Sequence, residues 1–404
     1  MSSLRVAVVG ASLQRACGVR DHAGLLAQAL AAEEISCSWH WLTRRSSCAR
    51  ASAAEVRAWT GTLATELDGE RPDAVLLHYS VFSLSHRGLP VFVPGVLAAL
   101  GARRRPLLAF LHELVFPWGR DGARGAAWAA SQRVAIAALM QQASAAIVST
   151  DLRARWLSSR VWLASRPLAV APVFSNLPPP QAVSRETRAE PRIGLFGFAA
   201  GSIDTVLDAM AELAGRGVPV RLVLFGAAGE RSAAGLAWSA AARARGLAER
   251  VGFAGELPAQ ELSDALAACE VLIFIDGPGP TSRKGTLAAS LASGAPVLAL
   301  DGPQTWQELR SSGAAMLVAP SSAGLAAGLA ELLEDPQARR SLGERGLAFA
   351  HEQMSVQRSS RVVAGVLREL TGVTGLTAPT GAGTAAGAGA GAEAQGGAGA
   401  GRQP

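Results

Sequence analysis

Short, continuous apolar runs alternate with helical stripes along this chain, and the alternation runs twice. Residues 4–9 form an unbroken apolar run ending at Gly10; a strand covered on both faces in a parallel sheet reads this way. Residues 22–32 place leucines 25, 26 and 30 on one stripe, which predicts a helix. Further strands are expected at 35–42, 74–78, 106–111 and 145–149, with helical stretches such as 53–67 and 125–142 between them. The segment SNLPPPQAVSRETRAEP, residues 175–191, is too rich in proline and charge for a core and marks a seam. The alternation then restarts, with strands expected at 192–196, 220–225, 250–253, 271–275 and 296–300 and helices between them. The fold class is therefore α/β, two Rossmann-like domains facing a central cleft.

The expected boundaries are an N-terminal domain at 1–178, a linker at 179–191, a C-terminal domain at 192–350 and a closing helix at 351–370. Residues 371–404 form an Ala/Gly-rich tract that offers no core side chains and is expected to be a disordered tail. Ligands of such sheets bind beyond the C-terminal ends of the strands, so the loops there are the ones to read.

The charge balance narrows what those loops meet. Thirty-eight Lys and Arg against 32 Asp and Glu give +6 over 404 residues, and Lys284 is the single lysine. That excess is too small to suggest nucleic-acid binding; an anionic small molecule or an acidic membrane surface fits better, provided some cations converge. Four cysteines lack any CxxC spacing, which argues against a zinc site or disulfide scaffold and for reduced thiols in a cytoplasm. The start MSSLRVAVVG lacks a secretory apolar region, and no run approaches the roughly 18 apolar residues of a membrane span. The expected location is cytoplasmic, at most peripheral to the inner face of a membrane.

The densest loop is FIDGPGPTSRKGTLAASLASGAPVLAL, residues 274–300. Thr281 or Ser282 can cap a helix there, and Arg283 and Lys284 fall at its first turn. Cations at a helix N-terminus oppose the macrodipole unless an anion lies between them and the free N–H groups, and a phosphate or diphosphate resolves the conflict. The alternative is a solvated turn. After the first strand, GASLQRACGVRDHAGLLAQAL is not GxGxxG, and no acidic residue ends the second strand, which speaks against a nicotinamide dehydrogenase. Arg20, Asp21 and His22 face the cleft if the fold is right, with Asp21 equally readable as an N-cap. FLHELVFPWGRDG places His112 and Glu113 at a strand end, suited to stabilising charge or exchanging a proton, against the alternative of a core histidine bonded to backbone. HYSVFSLSHRGLP holds Tyr79, His86 and Arg87, which fit acceptor binding or loop packing. No Ser-His-Asp set, metal-ligand cluster or HExxH stands in the sequence.

The order of these motifs, with VSTDLRARWL, APVFSNLP, RVGFAGELPAQELSDALAACEVLIF and ASGAPVLA, resembles the GT-B glycosyltransferases, most closely the retaining family 4 (group 1) type, over residues 4–370. The resemblance implies transfer of a sugar from a nucleotide-sugar donor on the C-terminal domain to a glycan, lipid-linked or small-molecule acceptor on the N-terminal one, as in polysaccharide biosynthesis. It places His112 and Glu113 by the donor sugar, Gly18 and Arg20 in the loop lining the cleft, and Gly255, Glu256 and Leu257 against the nucleobase. Arg283 and Lys284 would meet the diphosphate; Thr281, Ser282, Gly285 and Thr286 of the same loop are further donor-binding candidates, and Tyr79, His86 and Arg87 remain the acceptor-binding candidates read from their own loop. It implies no cofactor and no metal, because the leaving phosphate can itself take the acceptor proton.

Two departures stand out. The family's paired glutamates fall on Thr281 and Ala289, and its Arg and Lys after the first strand of the C-terminal domain are replaced by FGFAAGSIDTV. Either Arg283 and Lys284 have taken over the phosphate, or the chain is a degenerate binding protein of the same fold. A nucleotide-sugar epimerase is the third reading.

Overall fold

The computed structural model describes residues 3–13, 17–46, 48–101, 105–181, 190–198, 203–226 and 229–372. The tail expected to be disordered, most of the linker and residues 199–202 of the loop after the seam lie outside the described residues. The first sheet holds β1 (Leu4–Ser12), β2 (Ile35–Thr43), β3 (Ala74–Tyr79), β4 (Leu107–Leu111), β5 (Ala145–Val148) and β6 (Leu168–Val170), in the order β2-β1-β3-β4-β5-β6. The second holds β7 (Arg192–Phe196), β8 (Arg221–Phe225), β9 (Val251–Gly255), β10 (Val271–Phe274), β11 (Val297–Leu300) and β12 (Met316–Val318), in the order β12-β11-β10-β7-β8-β9. Every neighbouring pair is parallel.

Parallel neighbours need crossovers, and helices supply them. In the first half these are α1 (Gly18–Leu30), α2 (Ala49–Glu70), α3 (Val93–Leu100), α4 (Gly122–Gln142) and α5 (Asp151–Ser158). In the second they are α6 (Ile203–Gly215), α7 (Ala233–Ala244), α8 (Ala259–Ala267), α9 (Gly285–Ala292), α10 (Gln307–Ser312) and α11 (Ser322–Glu334). The expected strands are all present. The structure adds β6 and β12, three-residue edge strands too short to leave a periodic signal in the sequence.

In each sheet the chain starts in the middle, builds outward on one side, then returns to the other. The reversal falls between β1 and β3 in one sheet and between β7 and β10 in the other. Crossover helices diverge at such a point and leave a crevice at the strands' C-terminal ends.

The closing segment is two helices, α12 (Pro336–Gln353) and α13 (Val356–Thr371), rather than one. Asp335 caps α12 by accepting from the N–H groups of Gln337 and Ala338, with Pro336 at the first helical position. Although it follows the second sheet in sequence, α13 buries Val363, Ala364 and Leu367 in the core that holds Leu4, Val6, Leu26 and Phe110 of the first. Ser359 adds a 3.0 Å hydrogen bond to the carbonyl of Pro172 in the connecting segment. No helix among the described residues is long and apolar enough to cross a membrane.

Leu367 is fully buried, so Leu367→Ala should destabilise the chain by about 2–5 kcal/mol in urea titration, the usual range for emptying a packed leucine site. The cysteines give a second expectation. Cys48 is exposed at the N-terminus of α2, where the N–H groups of Ala51 and Arg50 hold its thiol below the usual range. Burial pushes Cys37 up to about 11. Iodoacetamide at pH 8 should therefore modify Cys48 first and Cys37 far more slowly, read by peptide mass spectrometry.

Candidate functional site

Three imidazoles meet at the first sheet's reversal. His22 lies in α1, which follows β1; His78 is near the end of β3; His112 follows β4 directly. His78 and His112 are joined by a hydrogen bond of 2.9 Å between Nδ1 and Nε2. His22 stacks on Phe174 at 4.2 Å between centroids and stands edge-on to His112 and Phe110, both at 5.1 Å. Burial disfavours the imidazolium in all three: His22 is brought down to about 3, and His78 and His112 are held well below the usual histidine range by burial and then by His22, with His78 and Arg153 adding to the effect on His112. The rings are neutral at physiological pH. Both nitrogens of His22, Nε2 of His78 and the Tyr79 hydroxyl have no hydrogen-bond partner.

Beside them lies a charged group drawn from both halves. Arg153, in the first turn of α5, donates from Nη1 to the His112 carbonyl at 2.7 Å. Thr150 fixes that turn, its hydroxyl accepting from the Arg153 N–H. Burial and then the charge of Arg283 bring Arg153 down to about 10, while Glu113 favours its charged form. Glu113 accepts from Ser80 Oγ at 3.1 Å, yet burial raises its carboxyl above the ordinary value despite Ser80, Arg153 and Arg283. Two guanidiniums thus act on one carboxylate, leaving an excess of positive charge where the halves meet.

The halves are tied at this place by backbone. Ser282 donates from Oγ to the Ser149 carbonyl at 2.6 Å, and its own carbonyl accepts from Val173 N–H at 2.7 Å. Asn176 Nδ2 donates to the Gly18 carbonyl at 3.0 Å, holding the connecting segment to the start of α1. On the second sheet, Gly197 turns at φ +78° directly after β7, and a β-carbon there would stand 2.8 Å from Cγ2 of Thr286. Only glycine lets that turn lie against the N-terminus of α9.

The expected residues distribute unevenly over this geometry. His112 and Glu113 lie beside Arg153, and Arg283 is near enough to act on Glu113 and Arg153. Gly18, expected in the cleft loop, instead opens α1, with Arg20 half-buried in the same first turn, and Asp21 is not the cap of α1. The helix starts three residues earlier, at Gly18, and the Asp21 N–H already bonds to the Cys17 carbonyl at 3.0 Å. Neither Thr281 nor Ser282 caps α9: Lys284 holds the cap position without a side-chain bond, and the Ser282 hydroxyl is engaged by Ser149. Lys284 forms a 2.9 Å ion pair with Asp276, so its charge is met within its own loop. Gly285 and Thr286 open α9, whose first N–H groups have no partner within the helix. Gly255 ends β9 at φ +69°, Glu256 is exposed, and Leu257 packs on the second-half core. Tyr79 is buried in the first-half core instead of facing an acceptor, because it lies on a central strand. The turn of His86 and Arg87 packs on α4, where Gln132 donates to the Gly88 carbonyl.

Arg153 and His78 carry no assigned role in the sequence reading, although both sit in motifs it singles out. A polar side chain just past an apolar strand, or in the first turn after one, was the available signal.

Residues 190–335 match the family model of glycosyl transferases group 1. That stretch is similar to the group 1 glycosyl transferases. The chain as a whole has the GT-B fold. It is similar to sucrose-phosphate synthase of Thermosynechococcus elongatus (TM-score 0.66, 16% identity, 92% of this chain and 100% of that one). HepE of Anabaena, solved with UDP and glucose, superposes with a TM-score of 0.63 at 17% identity, covering 91% of this chain and 100% of that one. UDP-GlcNAc 2-epimerase of Neisseria meningitidis, bound to UDP-GlcNAc, gives 0.57 at 12%, covering 91% and 100%. No curated protein matches the chain. The group 1 match and the GT-B fold together support glycosyl transfer as the class of reaction.

Thr281 borders a crevice of about 370 Å³ that Thr150, Asp151, Ser282 and Trp306 also line, and its buried hydroxyl has no partner. A buried hydroxyl left unpaired costs about 1–3 kcal/mol. Thr281→Val should therefore leave the ligand-free protein as stable as before or raise its stability by about 1 kcal/mol in thermal denaturation.

Proposed function

We propose that the protein transfers a sugar from a nucleoside-diphosphate-sugar to an acceptor hydroxyl with retention of configuration, the donor diphosphate lying between the N-terminus of α9 and the guanidiniums of Arg283 and Arg153. One observation carries this reading: two arginines from opposite halves, the half-buried Arg153 and the exposed Arg283, both act electrostatically on the single carboxylate of Glu113, and Arg283 stands beside a helix N-terminus. Buried like charges are tolerated where an anion completes the set. Charge-assisted bonds from planar guanidiniums suit phosphate oxygens, and free helix N–H groups add to them. As the glycosidic bond breaks, charge builds on the departing phosphate, and donors already fixed around it stabilise that charge without reorganising.

His112 would lie beside the donor sugar. Its ring is neutral, fixed by His78 on one nitrogen, and its carbonyl is held by Arg153. A neutral ring can give or accept a hydrogen bond there. The leaving phosphate is the group positioned to take the acceptor proton. UDP is the first nucleotide to test, because HepE and the epimerase, which share the fold, were solved with UDP or a UDP-sugar. The epimerase reading has one specific support, the absence of carboxylates at Thr281 and Ala289; turnover of a UDP-sugar to its epimer without acceptor would favour it.

Calorimetry with UDP-, GDP- and ADP-sugars tests the donor site. Arg283→Ala and Arg153→Ala should each weaken donor binding at least tenfold, about 1.4 kcal/mol. Lys284→Ala should do less, since Asp276 already neutralises that charge. Unchanged affinity in both arginine variants would remove the phosphate role.

A further inference from the structure

We propose that His22, His78 and His112 form a binding site for a late first-row divalent cation, Zn²⁺ foremost, with its fourth position open towards the cleft beside Glu113. One ligand atom from each of the three residues lies within 4.8 Å of the others. The cluster is built by the fold alone: a helix after β1, a strand end and a loop after β4 deliver one ring each to the crevice between β1 and β3. Nothing in the spacing of the sequence shows it.

The hydrogen-bond inventory supports a missing ligand at His22 in particular. A packed core histidine normally finds a partner for each ring nitrogen, since a buried polar atom without one costs about 1–3 kcal/mol. Here the His78–His112 bond satisfies one nitrogen of each ring, while both nitrogens of His22 and Nε2 of His78 remain without partners. His22 and His78 are 2% and 1% exposed, so bulk solvent does not reach these nitrogens. Aromatic walls hold the rings in place: Phe174 lies flat on His22, and Phe110 stacks on His78.

The donor chemistry selects the ion. Neutral imidazoles are borderline-soft ligands that favour Zn²⁺, Cu²⁺ or Ni²⁺, whereas Mg²⁺ and Ca²⁺ want oxygen. Zinc binds histidine nitrogen at about 2.0–2.1 Å, which places tetrahedral ligand nitrogens roughly 3.3 Å apart. The His78–His112 pair, at 2.9 Å, must open slightly and His22 must swing inward, movements within reach of side-chain torsions. Three protein ligands leave one position for a water or anion from the cleft. The charges of Arg153 and Arg283 nearby favour an anion there and oppose a more highly charged metal.

Full-length protein stripped with a chelator and titrated with Co²⁺ and with Zn²⁺ tests the site. The expected result is one equivalent bound, an intense visible Co²⁺ spectrum of tetrahedral type, and a melting temperature that rises with Zn²⁺. His22→Phe keeps a ring against Phe174 while removing a ligand, and should weaken binding at least a hundredfold and abolish the rise. If that variant fails to fold, His78→Phe, stacked on Phe110, gives the same reading. Three results would overturn the proposal: no saturable binding by the wild type, equal affinity in the variant, or thiolate charge-transfer bands assigning the metal to cysteine. Because donor calorimetry on metal-free protein reads the Arg153 and Arg283 site separately, failure here leaves the donor reading standing, and the reverse.

Discussion

A parallel sheet that begins in its middle must reverse, and the buried histidines His22 and His78 collect, with His112, where the first sheet does so. Crossover helices on opposite faces part at the reversal, which exposes strand ends and helix N-termini to a common crevice. Between β1 and β3 the crevice receives His22 and His78, with His112 from the neighbouring strand. Between β7 and β10 it receives Gly197 and the start of α9. Ser282, bonded both to Ser149 and to Val173, joins the two crevices.

Electrostatics then divides this region into two zones of different character. The imidazoles sit among aromatic rings, where desolvation outweighs any gain from protonation, so they act as neutral ligands or donors. A few residues away Arg153 and Arg283 hold a charge that Glu113 only partly balances. The single lysine, which stands out in the composition, proves the less available of the loop's two cations. A compact ammonium finds a carboxylate within its own loop, whereas the exposed Arg283 reaches the other half of the molecule.

Much of the architecture was legible beforehand. Ten of the twelve strands were readable, most of them because they bury both faces and so become continuous apolar runs, as β1, β3, β4 and β5 do. The short edge strands β6 and β12 were not, since three residues carry no period. The caps were misread at Asp21 and at Thr281 and Ser282, because residue type shows what can cap a helix but not where the helix begins. Tyr79 shows a related limit: a hydroxyl after an apolar run looks like a site residue, but its place on a central strand buries it. For His112, Glu113 and Arg283 the signal was strong, a charged or titratable group set directly after an apolar strand or at a helix start.

The sequence by itself determined the class of fold, the seam and the loops in which chemistry could lie, since these follow from local periodicity and from residues such as proline that act on their own backbone. The tertiary structure alone decided which of those loops meet. That Arg153 reaches Arg283, that α13 completes the first core, and that three histidines from separate elements face one another depend on crossover direction and strand order. Such facts are long-range because parallel neighbours are never adjacent in the chain, and no pattern within a single segment records its neighbour.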